Sequence, residues 1–422
     1  MPNYLTPAQE IKWAKAAQKK GLRNLVAKQI ANYSLNKEIG VSKHVGDRIK
    51  RVTTSRARTS SVESDGSYRT TAVTTENEEI VINQHKQASV TMTEKERALI
   101  NDKYVVDQGK EIGISLAEDK DAFVIDTLVA GAYLGNTTAY DLTGSVNFKK
   151  IAIDAIKAFK KEKVLRKGDK IAWVSDAEID AGVEDYLLNV SNNKGQANIE
   201  TSKNTDVFMR PFAGTNMMTS NSCPFEYTVV GDQAVIANGQ TIVHDGVTLT
   251  FVTALTTSPA TIPGEILVEA SSAASLANAK MLMEDPFGEA STFDATKATP
   301  FAEPTRIITG GVYKNEGNRF QNITCTIASS NMTVRQLGGS VDVSSTLASS
   351  NGLKDFLLYT PINIKGAIDV VSGFMPRTEQ KTDTKLSTNI VTHELYGVKL
   401  FSDGAIRTYN AKFKTAADAI NA

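Results

Sequence analysis

Residues with catalytic or metal-binding side chains are few in this sequence, and their spacing forms no functional constellation. The four histidines fall in no metal-ligand spacing; they are His44, His85, His244 and His393. Two of them directly precede an acidic residue, as His244-Asp245 and His393-Glu394. Adjacent side chains on a strand point to opposite faces, so neither pair is expected to join a base to an orienting carboxylate. We interpret both pairs as surface polar residues.

Nucleophiles and phosphate-binding loops are not indicated either. Cys223 lies between Ser222 and Pro224, which supply no base, so it is not predicted to be reactive. The sequence has no G-x-G-x-x-G after a strand and no P-loop. The glycine pairs at 310–311 and 338–339 are interpreted as turns. The sequence therefore predicts no enzyme, no cofactor and no metal ion.

The composition is that of a globular protein whose copies associate easily. Of its 422 residues, 41% are hydrophobic and 22% are charged, and this length suggests two or three domains. Lysine plus arginine (47) balances aspartate plus glutamate (47), which excludes a strongly basic nucleic-acid coat and removes global repulsion between copies. Two cysteines make no disulfide framework, and neither a signal peptide nor a membrane span is recognised, so we expect a soluble cytosolic protein.

The N-terminal segment is basic and is predicted to be helical. Thr6, Pro7 and Gln9 form a helix start, and Gly21 is expected to interrupt the helix. Residues 1–58 hold eight lysines and five arginines against three acidic residues, in a chain without net charge. Two interpretations stay open: a solvated helix face, or an arm that docks on an acidic partner, either another copy of the chain or an assembly factor.

Residues 45–92 are predicted to be extended and two-stranded. β-Branched residues flank the polar turn Ser64-Asp65-Gly66-Ser67, and Asp-Gly is a strong hairpin signal. The hairpin is rich in cations, which are Arg48, Lys50, Arg51, Arg56, Arg58 and Arg69. An isolated ribbon of this kind buries little surface and should be marginal in water. Either the rest of the chain or a neighbouring copy must therefore cover it.

Long helices and a short buried strand are predicted after the hairpin. Apolar residues at helical spacing predict one long helix or a pair of helices over 94–135, and another helix from Asn147. The apolar run Ile171-Ala-Trp-Val predicts a buried strand, with Trp173 and Trp13 as packing anchors. This stretch is predicted to form an α/β layer.

Short strands dominate the sequence after Pro224. Asn238-Gly239 and Asp245-Gly246 predict two hairpin turns close together. Strands at this regular spacing suggest a small barrel or sandwich over roughly 225–270. The tail is predicted to end in one more hairpin, with strands Glu394–Phe401 and Ala405–Phe413 around Ser402-Asp403-Gly404.

The order of these parts resembles that of the major capsid proteins of tailed phages. The stretch Ile80-Val-Ile-Asn-Gln-His-Lys-Gln-Ala-Ser-Val-Thr-Met-Thr-Glu-Lys-Glu-Arg resembles their passage from extended loop to spine helix. Phe212-Ala-Gly-Thr-Asn-Met-Met-Thr-Ser-Asn resembles their strand before the late apical region, and Glu394-Leu-Tyr-Gly-Val-Lys-Leu-Phe resembles their closing strands. With its β insertion, the chain is most similar to the P22-like coat proteins, although its insertion is shorter and its N-terminal helix more basic.

This resemblance implies an α+β protein with the HK97-like capsid fold. The fold would combine an N-terminal helical arm, an extended hairpin loop, a spine helix, an α/β apical domain and a small inserted β domain. The implied boundaries are 1–44 for the arm, 45–92 for the hairpin loop and return strand, 93–136 for the spine helix, 137–223 for the first apical part, 224–300 for the inserted domain, and 301–422 for the remaining apical and peripheral strands.

The resemblance also implies a structural function in a virion. Copies would assemble in the host bacterial cytoplasm as hexamers and pentamers, forming an icosahedral head around double-stranded DNA. Further partners would be scaffolding, portal and decoration proteins, with little specific nucleic-acid binding and no membrane. Exposed ion pairs between subunits, worth about 0–1 kcal/mol each, would set register more than strength. The implied contact residues are Arg48, Lys50, Arg51, Arg56, Arg58 and Arg69, with Glu63 and Asp65 as reciprocal acids.

The sequence leaves several alternatives open. An encapsulin-type compartment shares the fold but packages an enzyme, and the basic arm and β insertion favour the phage coat over it. A tail-tube or baseplate protein would be built mostly of strands, against which the long helices argue. A hydrolase with a cryptic carboxylate site and an adhesive β protein are the alternatives from other classes.

Overall fold

The computed structural model describes most of the chain, in segments. These are residues 7–37, 44–54, 62, 64, 67, 75–92, 102–142, 146–176, 179–183, 209–220, 222–231, 236–257, 261–301, 320, 322–337, 343–347, 352–371, 377–382 and 388–415. The described residues form a mixed α/β structure that divides into two compact units.

The first unit comprises Met1–Leu134, Phe159–Ile171 and Asn363–Thr408. Its helices are α1 (Pro7–Asn24), α2 (Ala27–Ile30) and α3 (Asp102–Gly131). Its strands are β1 (Arg48–Thr54), β2 (Thr75–Val81), β3 (Gln84–Met92), β17 (Asp369–Val371), β18 (Arg377–Thr382) and β19 (Thr388–Lys399), and a last short helix, α6, spans Ser402–Ala405. β19 is the centre of one sheet, since it pairs antiparallel with β3, β17 and β18.

Helix α1 packs along the side of the long helix α3. The two backbones come close at Gly109 and Gly113, where an added Cβ would lie less than 3 Å from the carbonyl oxygens of Trp13 and Ala17 respectively. Trp13 and Ala17 are fully buried, and the Trp13 indole donates a hydrogen bond to the Thr392 hydroxyl at 3.1 Å. Two glycines one turn apart thus allow the two helix backbones to touch.

The second unit comprises Gly135–Ala158, Ala172–Ile362 and Tyr409–Ala422. A ten-stranded sheet has the order β13-β14-β9-β16-β6-β8-β7, with β20 pairing β16, β4 and β5. Its strands are β4 (Leu134–Gly135), β5 (Tyr140–Asp141), β6 (Ile171–Ser175), β7 (Met209–Phe212), β8 (Thr215–Thr219), β9 (Pro224–Val230), β13 (Ile323–Ala328), β14 (Asn331–Leu337), β16 (Leu353–Ile364) and β20 (Thr408–Lys414). Helix α4 (Phe148–Lys161) belongs mostly to this unit.

A smaller four-stranded sheet in the second unit has the order β12-β11-β10-β15. Its strands are β10 (Thr241–His244), β11 (Val247–Val252), β12 (Glu265–Leu267) and β15 (Val343–Ser345), and helix α5 (Ser272–Glu284) follows β12. The predicted Asp245-Gly246 turn joins β10 to β11, and both of its residues have positive φ, as a type I′ turn requires. The smaller sheet differs from the predicted 225–270 barrel, because β9 belongs to the larger sheet and β15 comes from beyond residue 340.

Two local predictions were wrong. The helix α1 continues through Gly21 to Asn24, since Gly21 is buried and the cost of about 1 kcal/mol for a helical glycine is outweighed by packing. The predicted tail hairpin does not form either. β19 and β20 lie in different sheets, and Ser402-Asp403-Gly404 begins the short helix α6 instead of closing a turn.

Candidate assembly surface

The two-stranded ribbon formed by β1 and β2 holds three of the residues that the sequence predicts at subunit contacts. The strands pair antiparallel, with Ile49 opposite Ile80, Lys50 opposite Glu79 and Arg51 opposite Glu78. Side chains alternate between faces along a strand. Arg51 and Ile49 therefore lie on one face, which we name the inner face, whereas Arg48 and Lys50 lie on the outer face.

The inner face of the ribbon is attached to its own unit by an apolar cluster. Ile49 and Ile80 are buried together with Ile82, and the cluster is completed by Leu35, Val371 and Phe401. Burying an aliphatic side chain of this size contributes about 1.5–3 kcal/mol. The base of the ribbon is thus fixed by its own chain.

Ion pairs of Arg51 also attach the inner face of the ribbon to its own unit. Its guanidinium donates to Asp369 Oδ2 and to Asp403 Oδ2, both at 2.8 Å, and lies 4.8 Å from the centre of the Phe401 ring. Asn32 donates to the other oxygen of Asp369 at 2.6 Å. Burial raises the pKa of Asp369, and the neighbouring Arg51 opposes that shift. Arg51 therefore has partners within its own chain, and its contact with a neighbouring copy stays a prediction.

The second strand of the ribbon is held in the same way. Glu78, opposite Arg51, accepts hydrogen bonds from the backbone N–H of Ser402 at 3.1 Å and from its hydroxyl at 3.0 Å. These contacts attach the inner face of β2 to the start of α6. Both strands thus leave the unit from a fixed base.

The outer face of the ribbon is open to solvent. The side chains of Arg48 and Lys50 are 67% and 70% exposed, and Val52 is 60% exposed. Arg48 and Lys50 approach the same carboxylate, that of Glu79, at 3.2 and 3.5 Å. Two cations that share one acid leave a surplus of positive charge beside an exposed apolar residue. This face has the composition of a contact surface for an acidic and partly apolar partner.

The remaining predicted contact residues lie outside the part of the chain that the structure describes. They are Arg56, Arg58, Glu63, Asp65 and Arg69. Their role at subunit contacts stays a prediction. The sequence does not predict that Asp369 and Asp403 are the partners of Arg51. No local pattern connects residues more than 300 positions apart.

A second group of charged residues is buried under α3 and has structural partners. Lys120 donates to Glu394 Oε1 at 2.8 Å and lies 5.1 Å from the centre of the Tyr396 ring, and burial lowers its pKa. The Asp121 carboxylate accepts the backbone N–H groups of Val26 and Ala27, both at 2.7 Å, at the start of α2. Burial raises the pKa of Asp121 to about 7, and these two hydrogen bonds oppose the shift. This group fixes α2 and β19 against α3.

The described residues offer little for catalysis. Among them, no group of three histidine, cysteine or acidic side chains could hold a metal ion. Cys223 and Cys325 are buried, and burial raises the pKa of both thiols, which keeps them protonated and weakly nucleophilic. The interpretation of His244-Asp245 and His393-Glu394 as surface pairs was wrong for one residue of each, because His244 and Glu394 are buried. His85 and His393 meet edge to face, with ring centres 5.3 Å apart. None of the helices in the described segments is long and apolar enough to cross a bilayer.

Comparisons with known proteins return similarity only at the level of structure. No family model matches the chain, and no curated protein matches it. A solved structure from Mycobacterium phage Che8 is 12% identical and covers 93% of this chain and 92% of that chain, with a TM-score of 0.47. The capsid structure of Cyanophage P-SCSP1u is 10% identical and covers 89% of this chain and 85% of that chain, with a TM-score of 0.42. The virus-like particle from Pyrococcus furiosus is 8% identical and covers 96% of this chain and 98% of that chain, with a TM-score of 0.38.

Proposed function

We propose that this chain is a major capsid protein that assembles with copies of itself into a closed phage head. The proposal includes the finer expectations of the sequence resemblance: hexamers and pentamers, an icosahedral shell around double-stranded DNA, and scaffolding, portal and decoration proteins as further partners. The work of the protein is then to form interfaces.

The observation that carries the proposal is the ribbon with one anchored and one open face. Its inner face is fixed by Arg51, Glu78 and the apolar cluster around Ile49, whereas its outer face exposes Arg48, Lys50 and Val52. A two-stranded ribbon has too little buried surface to be stable alone. A rigid base with an exposed outer face suits a strand pair that completes its burial on a neighbouring copy.

The energetics fit many weak contacts better than a few strong ones. Exposed ion pairs such as those available to Arg48 and Lys50 contribute about 0–1 kcal/mol each. Each copy in a shell makes several contacts at once, so that modest pairwise affinities sum to a stable assembly through effective concentration. Weak single contacts also let misplaced copies dissociate before the shell closes.

The test is assembly of the full chain with and without the far part of the ribbon. In the variant, Asn-Gly replaces residues 55–74, which retains the Thr54–Thr75 pair and closes it with a two-residue type I′ turn. The matched control is the full chain with Lys149→Glu and Lys157→Glu, two exposed positions on α4. Particles are counted by negative-stain electron microscopy, and folding is checked by circular dichroism.

We expect closed particles from the wild type and the control, and a folded monomer that forms none from the shortened variant. Normal particles from the shortened variant would exclude the ribbon from assembly. A wild-type chain that stays monomeric at all concentrations and with a phage lysate, or that turns over a substrate, would overturn the proposed function.

A further inference from the structure

Helix α1 presents a basic face to solvent. Lys12, Lys15 and Lys19 are exposed, lie at spacings of three and four, and therefore share one side of the helix. Ile11, on the edge of this side, is 55% exposed. We refer to these four residues as the basic face. It is one part of the positive surplus found in the first 58 residues.

The basic face points away from α3. The side of α1 that meets α3 carries Trp13 and Ala17, which are fully buried. At 100° per residue, these two lie roughly opposite Lys15 and Lys19. The close approach at Gly109 and Gly113 fixes this orientation, because rotation of α1 would bring larger side chains against the α3 backbone.

Helix α3 presents an acidic face with the opposite charge. Glu111 and Glu118 are exposed, and Asp107, one turn before Glu111, has a side chain that is 49% exposed and pairs with Lys110 at 2.8 Å. Half-buried Ile114 lies between the two glutamates. Burial and then the charge of Glu111 raise the pKa of Glu118, so the two carboxylates repel each other. We refer to Asp107, Glu111, Ile114 and Glu118 as the acidic face.

The two faces match in spacing and in chemistry. Lys12 and Lys19 are seven residues apart, as are Glu111 and Glu118, and both spans measure about 10.5 Å along a helix. Each face also has an exposed or half-buried isoleucine beside its charges. The acidic face lies on the side of α3 opposite Gly109 and Gly113, so the basic face of the same chain cannot reach it.

We propose that the basic face of α1 docks on the acidic face of α3 in a neighbouring copy of the chain. Different surfaces of the two copies meet in this contact, and such heterologous contacts generate rings when the rotation closes. The inference rests on the proposed function, to which it adds a contact that does not involve the ribbon. It also identifies the acidic partner expected for the N-terminal segment as the acidic face of α3 in a neighbouring copy.

The test uses charge reversal on each face of the full chain. One variant carries Lys15→Glu and Lys19→Glu, the second carries Glu111→Lys and Glu118→Lys, and a third carries all four changes. The control carries Lys149→Glu and Lys157→Glu on α4, which lower the net charge by the same amount as the first variant. Association is measured by sedimentation velocity over a concentration series, with thermal unfolding as the check on folding.

We expect each two-site variant to need about tenfold more protein for half-maximal association than the wild type, because reversing two charges on one face turns attraction between the two faces into repulsion. The four-site variant should associate like the wild type. A mixture of the two two-site variants should also associate, since each supplies the face that the other requires. Rescue by mixing is specific to a contact between copies, because an effect within one chain would persist.

Wild-type association in both two-site variants would overturn this inference and leave the proposed function standing. So would folded two-site variants that neither the four-site variant nor mixing rescues. If charge reversal destabilises the fold, Lys15→Gln with Lys19→Gln replaces it, and unchanged association again decides against the contact. Unchanged association combined with lost binding to a DNA duplex would assign the basic face to nucleic acid. Failure of the wild type itself to associate would instead reject the proposed function.

Discussion

Lys120 and Glu394 form a buried ion pair whose two members depend on each other. Both side chains are buried, with 2.8 Å between Nζ and Oε1. Replacing Lys120 by Met leaves the Glu394 carboxylate buried without its lysine, and we expect the free energy of unfolding to fall by about 3–5 kcal/mol. Adding Glu394→Leu should recover most of that loss, because an apolar pair of similar volume carries no desolvation penalty. Urea unfolding of the three proteins measures both effects.

The matched control is an exposed ion pair. Lys157 lies 3.8 Å from Asp154 with its side chain 72% exposed, so Lys157→Met should change the unfolding free energy by less than about 1 kcal/mol. A double variant that is less stable than Lys120→Met alone would contradict our account of the buried pair. In that case the Glu394 carboxylate would stabilise the fold through contacts other than Lys120.

Asp121 should make stability depend on pH. Burial raises its pKa to about 7, whereas an aspartate in an unfolded chain titrates near 3.9. Between about pH 4 and pH 7 the folded chain holds a proton that the unfolded chain has lost, so the contribution of Asp121 to stability falls as pH rises through this window and is constant above it. Asp121→Asn does not titrate. The stability advantage of the wild type over this variant should therefore be larger at about pH 5 than at about pH 8, as urea unfolding at both pH values would measure.

The stability difference between the wild type and Asp121→Asn can also contradict this account of Asp121. If the advantage of the wild type instead grows with pH, the carboxylate is ionised in the folded state, and its hydrogen bonds to Val26 and Ala27 outweigh its burial. Thermal unfolding at low protein concentration would separate this effect from association.

The burial of single residues can be predicted from the sequence, whereas their distant partners cannot. Trp13 and Trp173 were predicted as packing anchors, and both are fully buried, which confirms the prediction. Tryptophan is highly buried on average, so residue type alone is informative here. The partners of Arg51 could not be predicted, because Asp369 and Asp403 reach it only through the fold.

Elements defined by local signals were predicted well. Of the two forms expected over 94–135, one long helix or a pair, the single helix is present as α3 (Asp102–Gly131). The strand at Ile171 and the turn at Asp245-Gly246 lie where the sequence places them. Elements that depend on pairing between distant segments were not predicted correctly. The tail hairpin failed because β19 finds its neighbours in β3, β17 and β18, and the small sheet takes its strand β15 from a distant segment. Propensity and turn chemistry fix a strand but not its partner.

The contact between α1 and α3 should be sensitive to a single methyl group. In Gly113→Ala the new Cβ would overlap the Ala17 carbonyl oxygen, so the two helices must separate. We expect a net loss of about 1–3 kcal/mol in unfolding free energy, although alanine alone favours a helix. Thermal and urea unfolding measure the loss.

A glycine in open space provides the control for this substitution. A Cβ added at Gly352 would meet no heavy atom within 4 Å, so Gly352→Ala should change stability by less than about 0.5 kcal/mol. If Gly113→Ala were as stable as the wild type, α1 would be able to move along α3. The orientation that exposes the basic face would then no longer be fixed.

At the scale of the whole molecule, zero net charge hides a strong local separation of charge. The positive surplus lies in the first 58 residues, whereas acidic residues such as Glu111 and Glu118 lie exposed on α3. A chain with this distribution has little long-range repulsion between copies and many short-range attractions. Mutual attraction of this kind suits assembly from identical copies.

This distribution fixes the sign of the salt effect on assembly. Because the copies carry no formal net charge, we expect the main effect of sodium chloride to be screening of the attraction between basic and acidic faces. Raising it from about 0.1 M to about 1 M shortens the screening length from about 10 Å to about 3 Å. The initial rate of assembly, followed by light scattering, should therefore fall. Sulfate is unsuitable for this measurement, because it strengthens apolar burial at the same time. A rate that rises with sodium chloride would mean that repulsion between copies dominates, and the complementary faces of α1 and α3 would then not be what brings copies together.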